Sequence, residues 1–400
     1  MESSSLIRSI KDESRKNYIA IFEQDWPAWL AGLFIAILAL QVFLWSGSPW
    51  GIAGGYRNWG DWIFYLVGVY DHHPEFPPWL STMSLSNFGL FLGALISALM
   101  SRQFKIRRAP AFEYVKAIIG GILMGTGAVL AAGCNVGGFY TAVAVFDLGG
   151  IAMMFGLGAG AYLGLRYLLW EMEHLPQDWF RLNSIKKPKA GGIKWPVVQP
   201  FVGGSLILFI LGTFYVFSIF DETVNGGLLF FGFLIGFVMH RARFCFVRAF
   251  RCPFMTGEAE MVKSVAMSLM VYGLGAAVIK WSFIHDPMTG VYHNFWLGSM
   301  FGGMIFGVGM LVAGGCASST LWRVGEGHTK LLVTLVTFAL TNSSVAALMK
   351  KLELFDKLGQ GIFLPDIISW YLTIPVFIIF LLCWTFVAIW NEASEKFVVF

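Results

Sequence analysis

The sequence has few charged residues and lacks the marks of a soluble or disulfide-bonded protein. Only 13% of its 400 residues are Asp, Glu, Lys or Arg, against about 25% in a soluble domain. Its five cysteines are an odd number with no CxxC pair, which argues against a disulfide framework and a cysteine metal site. The formal net charge of +4 is small and scattered along the chain. These features exclude soluble enzymes, nucleic-acid binders and disordered scaffolds.

Long apolar segments dominate the chain instead. Hydrophobic residues make up 57% of the sequence, and the mean hydropathy is +0.67. About 20 consecutive apolar residues span the hydrocarbon core of a bilayer. The apolar runs predict ten membrane helices near residues 27–46, 84–101, 112–133, 150–170, 199–219, 226–240, 262–283, 297–315, 331–349 and 368–390. We therefore predict an all-α, polytopic integral membrane protein.

The distribution of Lys and Arg predicts the orientation. Residues 1–26 are polar and lack the apolar core and cleavage site of a signal peptide. Basic residues collect in this segment and in 102–110, 171–198 and 241–251, and such loops face the cytoplasm. With ten spans, both termini are then cytoplasmic and the protein lies in the inner (cytoplasmic) membrane. Residues 350–357 are external in this topology although they carry three lysines.

A motif of fifteen residues occurs twice. Gly120–Cys134 aligns without gaps on Gly302–Cys316, and seven positions are identical, all of them Gly, Ala or Cys. In the predicted topology the two copies cross the membrane in opposite directions, which is the inverted-repeat architecture of many transporters. Small residues alone would also serve helix packing. The cysteine that ends both copies favours a functional role.

The repeat divides the chain into five parts. These are a cytoplasmic N-terminal segment (1–26), a first transmembrane repeat (27–170) with an external insert (47–83), a cytoplasmic loop with a linking helix (171–225), a second, inverted repeat (226–349), and a C-terminal helix and tail (350–400).

Both copies of the motif end in residues that break a helix. Asn135 and two nearby glycines follow Cys134, and small and hydroxyl residues follow Cys316. Broken helices at membrane depth occur only where the backbone is buried in protein or lines a cavity. We therefore predict short re-entrant half-helices that meet near the midplane. Their free N–H groups and positive dipole ends would bind an anion.

A third cysteine, Cys245, lies in residues 241–251 together with four arginines. This segment either anchors the membrane boundary or forms an electropositive vestibule for an anion. The first repeat shows nothing similar, because the insert 47–83 takes the equivalent position.

Three segments carry a resemblance to a known family. Ala-Gly-Cys134-Asn, Arg243-Phe-Cys245-Phe-Val-Arg-Ala-Phe-Arg and Leu311-Val-Ala-Gly-Gly-Cys316 resemble segments of the YeeE/YedE family of sulfur-transport membrane proteins, and their placement is most similar to the YedE branch. The stretch that begins at Gly325, Gly-Glu-Gly-His, resembles the Val-Glu-Gly stretch of that family.

The resemblance implies uptake of thiosulfate across the cytoplasmic membrane. In that family three cysteines form a relay that hydrogen-bonds the terminal sulfur of the ion, and the matching residues here are Cys134, Cys245 and Cys316. Family members often work beside a small TusA-like sulfur-carrier protein on the cytoplasmic side, which here would be a separate chain.

We therefore expect a transporter, not an enzyme, that imports a small sulfur-containing anion without a metal or cofactor. The expected substrate-binding residues are Cys134, Cys245, Cys316, Gly133, Asn135, Gly315, Ser318, Arg241 and Arg243. Two alternatives stay open: transport of a selenium compound or another sulfur species, and a membrane thiol oxidoreductase that uses Cys134 and Cys316 as a redox pair. The sequence also leaves open whether the cysteines act by hydrogen bonding or covalently.

Overall fold

The computed structural model describes residues 11–176, 195–284, 286–292 and 295–399. Most of the predicted loop 171–198 and the first ten residues therefore lie outside the described part. The helices are α1 (Ala28–Ser46), α2 (Ala53–Leu66), α3 (Thr82–Met100), α4 (Ala111–Leu130), α5 (Leu148–His174), α6 (Trp195–Ile219), α7 (Thr223–Arg241), α8 (Phe246–Met255), α9 (Glu260–Ser282), α10 (Leu297–Ala313), α11 (Ala317–Gly325), α12 (Thr329–Lys351) and α13 (Leu364–Ser394).

Within the described residues, ten helical segments are long and apolar enough to cross a membrane. Each coincides with one of the ten predicted spans, and the described residues form isolated β-bridges but no strand. The predicted all-α polytopic class is therefore confirmed. Two of the ten apolar segments, Thr223–Met255 and Leu297–Gly325, each join a long helix to a short one.

Among the described residues of the two repeats (27–170 and 226–349), four short helices accompany the long ones. Three are α2, α8 and α11, and the fourth is a π-helical turn, Asn135–Thr141, that continues as Ala142–Ala144. We refer to this fourth element as the first half-helix and to α11 as the second half-helix. Both follow the two copies of the repeated motif, as predicted.

The helix contacts obey a two-fold relation. α3 packs on α7 and α9 packs on α1; α4 packs on α12 and α10 packs on α5; α2 packs on α12 and α8 packs on α5. In each of these three statements, exchanging the two halves of the chain turns the first pair of helices into the second. α1, the first crossing, and α7, the sixth, run in opposite directions because successive crossings alternate. The halves therefore interlock as inverted repeats.

Some glycines of the repeated motif, among them Gly120 and Gly302, lie at the crossing of α4 and α10. A Cβ on Gly120 would lie 2.6 Å from the Ala313 nitrogen, and one on Gly302 would lie 2.5 Å from the Ala131 nitrogen. These two contacts are equivalent under the two-fold relation. Glycine permits such close approach of two backbones within a membrane. This explains why both copies of the motif have glycine at this position.

The insert 47–83 contains a buried helix. Trp50, Ile52 and Tyr56 are almost fully inaccessible, and α2 packs on α12 in the way that α8 packs on α5. α2 is therefore the counterpart of the Cys245 segment, which sequence analysis did not find in the first repeat. Ile52 precedes α2 as Cys245 precedes α8.

Candidate functional site

Each of the three predicted cysteines is the residue that directly precedes a short helix. Cys134 precedes the first half-helix, Cys245 precedes α8 and Cys316 precedes the second half-helix, and all three have extended backbones. Two residues earlier the backbone is left-handed, at Ala132, Arg243 and Gly314. The chain thus reverses in the same way three times and ends each reversal on a buried cysteine.

Cys245 and Cys316 lie together. Their side chains are within hydrogen-bonding contact, and the Ser319 hydroxyl contacts both. Ser319 donates to the Cys316 sulfur at 3.3 Å, and its oxygen accepts from the Cys316 N–H at 2.7 Å. The backbone N–H of Ser319 also donates to the Cys316 sulfur. Together with the bond from the Cys316 N–H to the Ser319 oxygen, this makes a capping box, which explains why the second half-helix begins here. Ser318 adds a hydroxyl 3.4 Å from the Cys316 sulfur.

Cys134 occupies the other side of the site. Its sulfur faces backbone N–H groups of Val136, Gly137 and Ala53, the last of which begins α2. N–H groups in the first turn of a helix have no partner within the helix. The N-terminus of α2 and that of the first half-helix therefore both point toward Cys134, and both favour negative charge there.

Tyr56 connects the two sides. Its hydroxyl donates to the Ala317 carbonyl at 3.0 Å, and the side chain lies close enough to Cys134 and Cys316 to interact with both electrostatically. Sequence analysis did not identify Tyr56, because nothing within the insert relates it to a cysteine. It follows Ile52 by one helical turn.

Several polar atoms at the site have no hydrogen-bond partner among the described residues. They include both amide atoms of Asn135 and the Thr320 hydroxyl, and both residues are buried. Buried polar atoms are normally paired, so each exception requires an explanation. A bound polar ligand would supply the missing partners.

Gly133 and Gly315 serve close approach at the two turns. A Cβ on Gly133 would lie 2.5 Å from the Gly138 nitrogen, and one on Gly315 would lie 3.2 Å from the Ser319 oxygen. A side chain at position 133 would therefore displace the backbone of the first half-helix, whereas position 315 is merely tight.

The two predicted arginines do not contact the cysteines. Arg241 donates to the backbone carbonyls of Glu23 and Gln24, and Arg243 donates to Glu326 at 2.7 Å. A cation close to Cys245 is Arg323, which was not among the expected substrate-binding residues. Arg323 donates to the Gly314 carbonyl at 2.9 Å and lies over the Trp322 ring.

A cavity of about 250 Å³ approaches the site from the α2 side. Its wall includes Gly51, Ile52 and Ala53 before and at the start of α2, with Gly133 and Gly137 beside Cys134. An anion that enters this cavity would first meet the N–H groups around Cys134.

Comparison with known proteins gives consistent matches. Residues 3–163 and 241–399 match the model of a protein family described as Sulphur transport. The chain is 27% identical over 318 residues to "Probable transporter YedE" of Escherichia coli (strain K12), covering 76% of each chain. It is 27% identical over 330 residues to the protein of that name from Salmonella typhimurium, covering 77% of this chain and 79% of that one. "Thiosulfate transporter TsuA" of Escherichia coli is 35% identical over 107 residues, 27% of this chain and 30% of that protein.

Proposed function

Because the chain belongs to the sulphur transport (YeeE/YedE) family, we propose that it imports thiosulfate, or a closely similar sulfur anion, past Cys134, Cys245 and Cys316. The observation that supports this is the convergence of three cysteines, each at the N-terminus of a short helix, with the unpartnered amide of Asn135 beside one of them.

The chemistry of the site fits an ion with one soft and one hard end. A thiol is a weak donor with a polarizable sulfur, so it contacts a terminal sulfur atom without holding it tightly. The N–H groups near Cys134 and the amide of Asn135 offer hydrogen bonds to the oxygen atoms of the ion. Weak binding at several successive points is what conduction requires.

The order of the groups defines a route. An anion enters the cavity beside α2, where Arg57 also lines the wall, and reaches Cys134. It then passes the Tyr56 hydroxyl to Cys245 and Cys316. In this proposal the entrance is external, both termini are cytoplasmic, and the protein lies in the inner membrane. A separate TusA-like protein would receive the sulfur on the cytoplasmic side.

Uptake of labelled thiosulfate into proteoliposomes tests this function. We expect uptake by the unmodified protein and its loss in Cys134→Ala and in Cys316→Ala, because each removes a thiol donor from the route. Cys383→Ala is the matched control, since Cys383 is exposed on α13, and it should transport normally. Wild-type rates in both site variants would overturn the role of the cysteines.

Competition identifies the anion. Sulfate, sulfite and selenite should compete poorly with labelled thiosulfate, because none of them carries a terminal sulfur. Selenite uptake without thiosulfate uptake would reassign the substrate and leave the route intact. The thiol-oxidoreductase alternative needs Cys134 and Cys316 to cycle between thiol and disulfide. We expect both to stay reduced during turnover, so that both are alkylated when the protein is denatured afterwards. In the structure the thiol in contact with Cys316 is Cys245.

A further inference from the structure

A second group of charged side chains lies at the far end of the second half-helix. This helix has nine residues, which span about 14 Å at about 1.5 Å per residue. Cys316 precedes it and Glu326 follows it. Since half of the hydrocarbon core is about 15 Å, Glu326 lies near the membrane boundary when Cys316 lies near the midplane.

The Glu326 carboxylate is buried and bound by two arginines. Oε1 lies 2.8 Å from Arg107 Nη1 and 2.7 Å from Arg243 Nη1. The other oxygen, Oε2, lies 3.4 Å from the Nε2 atom of His328. His240 Nε2 lies 4.0 Å from Oε1. Two guanidinium groups therefore share one carboxylate, and the cluster carries more positive than negative charge.

This cluster lies next to the cysteines along the route. Arg243 is two residues before Cys245 in the chain, and its guanidinium lies 5.8 Å from the centre of the Trp322 ring. Trp322 belongs to the second half-helix and is 2% exposed. An anion that leaves Cys245 and Cys316 toward this boundary therefore meets Trp322 and then the two arginines.

A pair of arginines binds carboxylates and other oxyanions with the same geometry. Arg107 and Arg243 would therefore bind the oxygens of a sulfur oxyanion where they now bind Glu326. We propose that these two arginines form an exit site for the transported anion, and that the Glu326 carboxylate occupies it as a tethered anion until the transported ion displaces it. This inference rests on the proposed function and identifies where the ion binds after the cysteines.

The backbone around Glu326 is fixed, so displacement requires only a rotation of its side chain. The Arg107 N–H donates to the Gly327 carbonyl at 2.8 Å, and the Thr329 N–H donates to the Arg107 carbonyl at 3.1 Å. Gly327 has a left-handed backbone, and a Cβ there would lie 2.4 Å from the Lys105 oxygen. The loop that carries Arg107 and the turn that carries Glu326 thus form one unit.

The carboxylate is charged at neutral pH. Burial alone would raise the pKa of Glu326, but hydrogen bonds from His328 and Arg243, together with the charge of Arg243, lower it well below its usual value. Because this lowered pKa keeps the carboxylate ionised at neutral pH, the arginines become free when another anion competes with it. The carboxylate also prevents the exit site from filling with anions from the cytoplasm.

Equilibrium binding of labelled thiosulfate to the purified full-length protein tests the proposal. We expect Glu326→Gln to bind thiosulfate about tenfold more tightly than the unmodified protein, because the ion no longer competes with a tethered carboxylate. Adding Arg243→Gln to Glu326→Gln should abolish this gain. Glu258→Gln is the matched control: Glu258 pairs with Arg248 at 3.9 Å but is 55% exposed, and its removal should leave the affinity unchanged.

The outcomes separate this proposal from the proposed function. If the unmodified protein binds and transports thiosulfate but Glu326→Gln binds it no more tightly, the exit site is wrong and the cysteine route stands. If the unmodified protein neither binds nor transports thiosulfate, the proposed function fails and this inference fails with it. Should Glu326→Gln not fold, Glu326→Asp gives the same test: its shorter side chain cannot reach both arginines, so it should also bind more tightly. Unchanged affinity in Glu326→Asp would overturn the proposal.

Discussion

Asn135 is a fully buried amide whose oxygen and nitrogen both lack a hydrogen-bond partner among the described residues. Replacing such a group costs little stability, because its unsatisfied state is already unfavourable. If Asn135 binds the anion, Asn135→Ala should keep or raise the melting temperature of the ligand-free protein. It should also weaken thiosulfate binding about tenfold, the equivalent of about 1.4 kcal/mol. Differential scanning fluorimetry with and without thiosulfate measures both effects.

Asn225 offers the matched control at the same scale. It is buried, but its amide donates to Glu222 at 2.8 Å at the start of α7. Asn225→Ala should therefore lower the melting temperature and leave thiosulfate binding unchanged. A clear loss of stability in ligand-free Asn135→Ala would show instead that this amide has a structural role.

At the scale of the helices, the crossing of α4 and α10 depends on glycine. Gly302→Ala places a Cβ 2.5 Å from the Ala131 nitrogen, a backbone atom that cannot move aside. We expect a severe loss of folded protein, measured as the monodisperse fraction by size-exclusion chromatography in detergent. Gly120→Ala should cause a similar loss, because its contact at 2.6 Å is equivalent under the two-fold relation.

Gly158 on α5 is the matched control. A Cβ at this position meets no atom within 4 Å, so Gly158→Ala should be neutral or slightly stabilising, as expected where alanine replaces glycine in a helix. Equal yields of Gly302→Ala and Gly158→Ala would mean that the α4–α10 crossing tolerates separation.

The elements also show what the sequence could and could not predict. The repeat predicted both half-helices, because a run of small residues that ends in cysteine is a local pattern. Sequence analysis did not identify α2 as the counterpart of α8. Ile52 precedes α2 and Cys245 precedes α8, so no shared residue type marks the relation. The sequence could not predict the ion pairs around Glu326 either. Arg107 lies in a distant part of the chain, and only the fold brings it to Glu326.

For the whole molecule, the ten apolar segments predict the topology. If all ten cross the membrane, the even number of crossings brings both termini to one face and places α2 with its following loop at the other. The basic loop 102–110 agrees with a cytoplasmic location for the termini, whereas the lysines in 350–357 favour the opposite. Ten crossings place residues 102–110 and 350–357 on opposite faces, so only one of the two loops is cytoplasmic. We expect it to be 102–110, because the basic segment 241–251 lies on the same face.

Labelling of intact cells with a membrane-impermeant maleimide decides the point. In a Cys383→Ala background, which removes the exposed native thiol, Glu75→Cys should be labelled from outside because it lies in the exposed loop between α2 and α3. Lys11→Cys, exposed at the N-terminal side of α1, should react only after the cells are permeabilised. Labelling of both positions from outside would contradict an uninterrupted first crossing. Labelling of Lys11→Cys alone from outside would show that the orientation is the reverse of the one proposed. The α2 cavity would then face the cytoplasm, and the proposed route would serve export.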